Sequence, residues 1–127
     1  MDLWKSSLEI MGLINFNSYK GKKVLITGHT GFKGSWLSYW LKEIGAEVFG
    51  YSLNTMNVPN HFDLLKSDIK SCYNDICDIK SFKKFIDETN PEIIFHLAAQ
   101  PLVRQSYIDP IETYQTNVIG TANLLES

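Results

Sequence analysis

The residues best suited to chemistry lie in one glycine-rich run, Thr27-Gly28-His29-Thr30-Gly31-Phe32-Lys33-Gly34. Gly28 permits a turn that a side chain would strain, Gly31 lets the backbone approach a pyrophosphate, and Gly34 lets a helix lie close to a sheet. Free amides at the start of that helix attract an anion. The spacing T-G-x-x-G-x-x-G therefore predicts a dinucleotide phosphate site formed by Gly28, Thr30, Gly31, Phe32, Lys33 and Gly34. Two other interpretations stay open: glycines that only make a tight turn, and Lys33 as a solvated surface lysine.

Such a site works only between a strand and a helix, and both flanks carry the right pattern. Residues 23–27 form a short β-branched and apolar run, which predicts a buried parallel strand. After the glycines, an apolar residue recurs at every fourth position: Phe32, Trp36, Trp40 and Ile44. This spacing predicts an amphipathic helix that buries both tryptophans and ends at Gly45.

The rest of the chain alternates strands with helices. Strands are predicted at residues 47–52, 71–75 and 92–97. Between and after them are predicted a helical turn at 62–65, a helix from Asp78 to Asn90, and a last helix that starts at Asp109. The apolar face of the last helix would consist of Ile111, Tyr114, Val118 and Leu125.

This alternation predicts an α/β fold, a Rossmann-type parallel sheet with helices on both faces that ends after about four strands. In such a sheet the last strand, around residues 93–97, would leave an unpaired apolar edge. We therefore expect either self-association into a homo-oligomer or low stability.

Composition and charge exclude several other functions. The 127 residues carry 12 Lys+Arg against 14 Asp+Glu, a net charge of -2, so nothing predicts nucleic-acid binding. No apolar run approaches the roughly 20 residues that span a bilayer, and the N-terminus lacks a secretory signal, so a cytoplasmic location is expected. Cys72, Cys77 and the dispersed histidines lack metal-ligand spacing, and His96 is expected to be a satisfied structural histidine.

Three further segments follow the glycine-rich run: Asn74-Asp75-Ile76-Cys77-Asp78, His96-Leu97-Ala98-Ala99-Gln100 and Thr116-Asn117-Val118-Ile119-Gly120-Thr121. In this order, the four segments resemble the extended short-chain dehydrogenase/reductase family of nucleotide-sugar enzymes. The resemblance implies that Asp75 hydrogen-bonds the adenine amino group of the cofactor. It implies further cofactor contacts at Ile76, Ala98, Ala99, Gln100 and Thr116.

Two stretches narrow the resemblance to one branch of the family. Residues 28–38 (GHTGFKGSWLS) and residues 98–107 (AAQPLVRQSY) are similar to the CDP-glucose 4,6-dehydratases. This resemblance implies a lyase that converts CDP-glucose to CDP-4-keto-6-deoxyglucose and water. Bound NAD would accept a hydride from C4 of the sugar, water would leave across C5 and C6, and the hydride would return to C6. Arg104 would contact the nucleotide sugar, although an ordinary surface ion pair is an equal alternative.

The family's catalytic tyrosine, in the pattern Y-x-x-x-K, is missing from the expected position. The single match, from Tyr19 to Lys23, precedes the first strand and is interpreted as chance, so no catalytic residue is nominated. We therefore expect residues 1–20 to be an N-terminal segment with a short helix near Leu8. Residues 21–127 would be an incomplete NAD-binding Rossmann domain, without the substrate domain and inactive alone. A nucleotide-sugar epimerase or reductase and a non-catalytic dinucleotide-binding protein remain as alternatives.

The cofactor preference depends on the end of the second strand. The family often has Asp there to hold the ribose hydroxyls, whereas this sequence has Ser52, Leu53 and Asn54. Ser52 or Asn54 is left for that hydrogen bond. No Arg follows to receive a 2'-phosphate, so NAD is favoured over NADP.

Overall fold

The computed structural model describes residues 16–54 and 59–127, which form one parallel sheet with helices packed on it. Its strands are β1 (Lys23–Thr27), β2 (Glu47–Ser52), β3 (Lys70–Tyr73) and β4 (Ile93–His96). Its helical elements are a 3-10 turn (Phe16–Tyr19), α1 (Phe32–Glu43), α2 (His61–Leu65), α3 (Ile79–Thr89), α4 (Val103–Ile108), α5 (Pro110–Tyr114), a π-helical segment (Gln115–Ile119) and α6 (Gly120–Glu126). The strand order is β3-β2-β1-β4 with every pair parallel, which confirms the predicted Rossmann-type sheet.

The central strands are buried on both faces because successive side chains of a strand point to opposite sides. Leu25 of β1 packs with Phe82 of α3, whose ring lies 4.8 Å from the ring of Tyr51 on β2. On the opposite face, Ile26 packs with Leu41 of α1. Helices therefore cover both faces, as predicted, and this double burial explains the continuous apolar sequence of β1.

Helix α1 turns its small residues toward the sheet, which corrects the prediction for its aromatic side chains. Its buried residues are Gly34, Ser35, Ser38 and Leu41. Phe32 is 69% exposed and Trp36 is 48% exposed, so the first half of the predicted stripe is not core. Of the four residues in the predicted stripe, Trp40 and Ile44 pack against the apolar cluster beneath the helix. Small residues at the contact let the helix axis approach the strands closely, which an aromatic layer would prevent.

The last helical stretch differs most from its prediction. Helix α4 forms where a loop was predicted, and the π-helical segment separates α5 from α6. The predicted apolar face lies in solvent, since these side chains are exposed: Ile111, Tyr114, Val118 and Leu125. Helix α6 instead buries Gly120 and Asn123. The sequence periodicity identified the apolar side of this helical stretch correctly. No element of the described ranges covers that side, and the side with small and polar residues packs inward instead.

The remaining boundaries follow local capping chemistry. The carboxylate of Asp78 accepts a hydrogen bond from the Ser81 amide and starts α3, and Asn90 ends it with a left-handed φ of 46°, as the sequence predicted. Strand β3 ends at Tyr73 instead of residue 75, because the chain turns where the Asp75 carboxylate accepts from the Cys77 amide. The short helix predicted near Leu8 lies outside the described residues.

Candidate functional site

The glycine-rich loop joins β1 to α1 and is shaped by close backbone contacts. Gly28 has a φ of +73°, and a Cβ there would lie 2.8 Å from the backbone of Leu97 and Ala98. A Cβ on Gly34 would lie 2.1 Å from the Gly28 carbonyl oxygen. A side chain is therefore excluded at both positions, at Gly28 by conformation and contact, at Gly34 by contact alone.

Gly31 differs from these two glycines because its surroundings are open. It has an ordinary φ of -70°, and the one atom near its position for a Cβ is the Gly28 carbonyl oxygen at 3.3 Å. No side chain caps the helix that begins after it, so the amides of Phe32, Lys33 and Gly34 have no intrahelical acceptor. An open backbone surface beside free helix amides fits a dinucleotide pyrophosphate.

The loop after β4 is tied to β1 by a hydroxyl group. The Thr27 Oγ1 atom accepts hydrogen bonds from the amides of Leu97 at 3.1 Å and Ala98 at 3.2 Å. The loop after β4 therefore lies directly beside Gly28, and the candidate residue Ala98 stands next to the glycine-rich loop, with Ala99 following it in the chain. The glycine-rich loop and the loop after β4 both lie outside the carboxyl ends of parallel strands, where ligands bind in open α/β sheets.

The same hydroxyl fixes the protonation state of His96. Thr27 Oγ1 lies 2.7 Å from His96 Nδ1, and His96 Nε2 lies 3.1 Å from Thr121 Oγ1. The Thr121 hydroxyl donates its single proton to the Asn117 carbonyl at 2.7 Å, so it must accept from Nε2. Nδ1 is then the acceptor for the Thr27 proton, and the ring is neutral. Burial also lowers the pKa of His96, which favours the neutral ring. Both ring nitrogens have hydrogen-bond partners, so the prediction that His96 is a satisfied histidine at a strand end is confirmed.

Gln100 is held by Asn117, a residue that sequence reasoning did not single out. The Gln100 amide donates to Asn117 Oδ1 at 2.8 Å, and Asn117 Nδ2 donates to the Gln100 carbonyl at 3.1 Å. The Gln100 side chain donates to Thr113 Oγ1 at 2.8 Å and accepts from the Leu102 amide at 2.6 Å. Its amide group therefore shapes the loop. Asn117 lies in the π-helical segment beside the half-buried Thr116, and its one sequence signal was its place in the segment 116–121.

At the end of β2, the Ser52 hydroxyl meets the Thr30 hydroxyl of the glycine-rich loop. Thr30 Oγ1 lies 2.9 Å from Ser52 Oγ, and both oxygens lie within 3.1 Å of the Leu53 carbonyl oxygen. Asn54, the other residue considered for the ribose, is exposed. The structure therefore joins Ser52 to the predicted site through Thr30.

The two candidate residues in the loop after β3, Asp75 and Ile76, have different environments. Asp75 is exposed and has one carboxylate oxygen engaged by the Cys77 amide, which leaves the other free to accept. Ile76 is buried, its carbonyl accepts from Asn123 at 3.0 Å, and its side chain fills the space above Gly120. Asp75 can therefore reach a ligand with its side chain, whereas the Ile76 side chain belongs to the core.

The exposed cationic residues of the prediction lie on two helices. Lys33 is in the first turn of α1 and Arg104 is on α4, and neither forms an ion pair within the described ranges. Phe32 stays near the glycine-rich loop. Its ring lies 5.1 Å from the His61 ring, and His61 Nδ1 lies 2.6 Å from Ser35 Oγ. Lys33 and Arg104 are thus free to meet an anionic ligand.

Residues 16–54 and 59–127 contain neither a metal-binding cluster nor a membrane-spanning helix. Their His, Cys, Asp and Glu side chains form no group of three that could hold a metal ion. None of their helices has the length and apolar character needed to cross a membrane.

Comparison with known proteins agrees with the geometry. The family model described as GDP-mannose 4,6 dehydratase matches residues 25–127. CDP-glucose 4,6-dehydratase of Salmonella typhimurium is 53% identical over 117 residues, which cover 91% of this chain and 33% of that protein. The structure of UDP-glucose 4-epimerase with UDP-glucose from Thermotoga maritima superposes with a TM-score of 0.72 at 31% identity, over 81% of this chain and 32% of that one. UDP-glucose 4-epimerase from Brucella ovis, in complex with NAD, gives a TM-score of 0.71 at 28% identity, over 84% of this chain and 31% of that one.

These matches confirm the resemblance expected from the four sequence segments. The chain spans about a third of the length of the relatives it matches. The family model covers the region from Leu25 in β1 through α6, including the glycine-rich loop and the loop after β4. The chain belongs to the Rossmann-fold family of nucleotide-sugar enzymes described as GDP-mannose 4,6 dehydratase.

Proposed function

We propose that this chain is the NAD-binding part of a nucleotide-sugar 4,6-dehydratase, a cytoplasmic lyase that acts on CDP-glucose. The observation that carries the proposal is the open backbone of Gly31 beside the uncapped start of α1, held against the loop after β4. The 53% identity to a CDP-glucose 4,6-dehydratase supports the choice of nucleotide sugar. Residues 21–127 would form the cofactor domain, and residues 1–20 a separate N-terminal segment.

The chain's own residues would bind and orient the cofactor. The first-turn amides of α1 would hold the pyrophosphate, and the free oxygen of Asp75 would accept from the adenine amino group. The backbone of Ala98 and Ala99, fixed by Thr27, would border the nicotinamide end. When bound, NAD would accept a hydride from the sugar and return it, while the protein holds both partners in place.

Titration calorimetry tests the cofactor site. We expect saturable binding of NAD+ to the chain, and we expect Gly31→Val to abolish it, because the added side chain would fill the space for the pyrophosphate. The φ of -70° at Gly31 suits any residue, and the 3.3 Å contact of an added Cβ with the Gly28 carbonyl oxygen requires only a small shift, so we expect this variant to fold, as checked by circular dichroism and Tm. Ala122→Val adds similar bulk at an exposed position of α6 and should bind NAD+ normally. Equal binding by Gly31→Val and the unchanged chain would refute the assignment.

The nucleotide sugar is tested by comparing CDP-glucose with UDP-glucose in the presence of NAD+. We expect CDP-glucose to bind more tightly, and Arg104→Ala to weaken its binding by about tenfold through loss of one cation contact. Lys80→Ala, which removes an exposed cation on α3, is the control. Tighter binding of UDP-glucose would favour the second candidate, a nucleotide-sugar 4-epimerase. The structural similarity to two UDP-glucose 4-epimerases keeps that candidate open.

The catalytic base is expected outside these 127 residues, because the sequence has no Y-x-x-x-K pattern after β1. We therefore expect the chain to bind NAD+ and to leave CDP-glucose unchanged. Mass spectrometry of the nucleotide sugar after incubation gives the answer. Loss of water from CDP-glucose would show that other residues of the chain supply the base. NAD+ binding without any nucleotide-sugar binding would favour a non-catalytic dinucleotide-binding protein.

A further inference from the structure

A histidine of α2 is held against the first turn of α1 by three contacts. The His61 Nδ1 atom lies 2.6 Å from the Ser35 hydroxyl oxygen. The His61 ring also lies 5.1 Å from the ring of Phe32 and 4.7 Å from the ring of Trp36. Ser35 is completely buried and His61 is half-buried. The imidazole therefore has a defined position beside the residues that begin α1.

The direction of the hydrogen bond between His61 and Ser35 follows from the single proton of the hydroxyl group. The Ser35 hydroxyl oxygen also lies 2.9 Å from the Phe32 carbonyl oxygen, which can only accept. Both contacts are hydrogen bonds only if the Ser35 hydroxyl donates to this carbonyl and accepts from a protonated Nδ1 of His61. The histidine thus directs the hydroxyl proton of Ser35 onto the Phe32 carbonyl.

Ser35 in turn bonds the two carbonyl groups at the start of α1. Its amide donates to the Gly31 carbonyl at 2.8 Å, and its hydroxyl donates to the Phe32 carbonyl. Because a peptide group is planar, the Gly31 carbonyl sets the direction of the Phe32 amide, and the Phe32 carbonyl sets that of the Lys33 amide. These two amides have no intrahelical acceptor and would hold the pyrophosphate. Hydrogen bonds therefore connect His61 to the backbone that binds the anion.

We propose that His61 is a positioning residue of the cofactor site, which acts through Ser35 to orient the amides that bind the pyrophosphate. This inference rests on the proposed function, because it assumes that the glycine-rich loop binds a dinucleotide. It deepens that function by adding a residue of α2, which lies outside the four sequence segments. His61 needs no contact with the ligand for this role, so its effect on affinity passes through Ser35.

Titration calorimetry with NAD+ tests the connection. We expect His61→Leu, which keeps a bulky side chain beside the two rings but removes the Nδ1 donor, to weaken NAD+ binding about three- to tenfold. Ser35→Ala should weaken it to a similar extent. The double variant should bind no more weakly than either single one, because each substitution breaks the same series of hydrogen bonds. His61→Asn places an amide N–H at the position of Nδ1 and should restore most of the affinity.

A second ligand locates the effect along the cofactor. ADP carries the adenosine and the pyrophosphate of NAD+ without the nicotinamide half. His61→Leu should therefore weaken the binding of ADP and of NAD+ by the same factor. A loss confined to NAD+ would assign the contribution of His61 to the nicotinamide end and would overturn the proposal.

Ser38→Ala is the matched control for Ser35→Ala. Ser38 is also completely buried in α1, and its hydroxyl donates to the Gly34 carbonyl at 2.7 Å. That carbonyl shares its peptide plane with the Ser35 amide, which is bonded to the Gly31 carbonyl and is not available to a ligand. The control variant loses a comparable hydrogen bond and should bind NAD+ normally. Circular dichroism and Tm establish that each variant is folded.

Unaltered NAD+ affinity in folded His61→Leu or folded Ser35→Ala would overturn the inference. So would a His61→Asn variant that binds no better than His61→Leu, since the loss would then come from packing, or an equal loss in Ser38→Ala. An unchanged chain that is folded and binds neither NAD+ nor ADP would instead refute the proposed function, so the two failures are distinguishable.

Discussion

At the scale of single residues, the most unusual environment is that of His29. Its side chain is fully buried between the Phe62 ring, at 5.0 Å, and the Tyr73 ring, at 5.8 Å. It also lies over Gly50, where a Cβ would come within 2.4 Å of the imidazole ring. Neither ring nitrogen has a hydrogen-bond partner among the described residues, and burial lowers the pKa of His29 from 6.5 to about 4. The second residue of the glycine-rich loop is thus a neutral core residue.

This burial predicts acid sensitivity. The folded chain keeps His29 neutral, whereas the unfolded chain takes up a proton below pH 6.5. The free energy of unfolding should therefore fall as the pH decreases from 6.5 to 4, by about 3 kcal/mol, and level off below that. Urea unfolding at a series of pH values measures the profile. His29→Leu should lose this component, while His61→Gln should keep it. An identical slope in the His29 variant would contradict the prediction.

His96 is the second residue with a specific prediction, and its test uses Thr121. Thr121→Val removes the acceptor for His96 Nε2 and leaves a half-buried N–H group without its partner. We expect a loss of about 1–3 kcal/mol in unfolding free energy and weaker NAD+ binding, because the Thr27–His96 pair also fixes the loop after β4. Thr121→Ser retains the hydroxyl and should restore both properties. If the serine variant behaves like valine, the loss comes from methyl packing instead.

At the scale of elements, the π-helical segment bears on the site. π-Helical turns are rare and occur frequently at functional sites. Here the segment contains Asn117, which bonds both backbone groups of Gln100, and its Gln115 carbonyl accepts from the Cys77 thiol at 3.3 Å. The extra residue in this turn therefore joins the last helix to the loops that follow β3 and β4.

Asn117 should consequently be required for the order of the loop after β4. Asn117→Ala removes two hydrogen bonds, and we expect it to cost about 1–3 kcal/mol and to speed hydrogen exchange at the Gln100 amide. Asn117→Asp keeps the acceptor for that amide but turns a carboxylate oxygen toward the Gln100 carbonyl, so it should not rescue stability. Asn123→Ala, which breaks bonds to residues 76 and 77, is the control and should leave exchange at Gln100 slow.

The elements that the sequence predicted best are those whose cause is local. The predicted ranges of β1 and β2 match the observed strands, because almost every residue of both is buried and each contains a core of β-branched or aromatic residues. The ends of α3 follow from the capping residues Asp78 and Asn90. The π-helical turn was not predictable, since it depends on the contact between Asn117 and a loop 17 residues away in sequence. For Phe32 and Trp36, the helical period was correct but gave no information on which face the sheet would contact.

At the scale of the whole molecule, many large apolar side chains are exposed, and six of them are close together in sequence. Strand β4 pairs only with β1 among the described strands, so its other edge is open. Helices α4 and α5 expose large apolar side chains nearby in sequence: Leu102, Val103, Tyr107, Ile108, Ile111 and Tyr114. Monomeric soluble proteins rarely leave so many apolar groups in solvent. We therefore continue to predict that the chain forms a homo-oligomer through this apolar surface.

Self-association should therefore appear as concentration dependence in analytical ultracentrifugation. We expect the average mass of the chain to rise with concentration, and Ile111→Glu to shift the equilibrium toward monomer because it places a charge on the apolar surface. Leu64→Glu, an equally exposed leucine on α2, should have a smaller effect. A monomer at all concentrations, with a sharp and concentration-independent unfolding transition, would contradict this expectation.

The sequence predicted which segments form the candidate site, but it did not predict the hydrogen bonds and packing contacts between their side chains. The fold places residues 27–34, 75–76 and 98–100 at or just after the carboxyl ends of strands, and Thr116 in the π-helical segment. The sequence did not show that the side chains of Gln100 and Ile76 are engaged within the protein. It also gave no sign that the hydroxyl groups of Thr30 and Ser52 are in contact. Such contacts form only when atoms are placed to within a few tenths of an ångström, and spacing along the chain does not determine positions that closely.

The contact between Gly28 and the loop after β4 matters for protein engineering. The backbone at Leu97 and Ala98 occupies the space that any side chain at residue 28 would need, so the two loops are complementary in shape although about 70 residues separate them. A glycine-rich loop moved alone into another Rossmann scaffold would meet a foreign surface at this point. The transferable unit is therefore both loops together with the Thr27 hydroxyl that joins them. Chimaeras should be designed with crossover points that keep these segments from one parent.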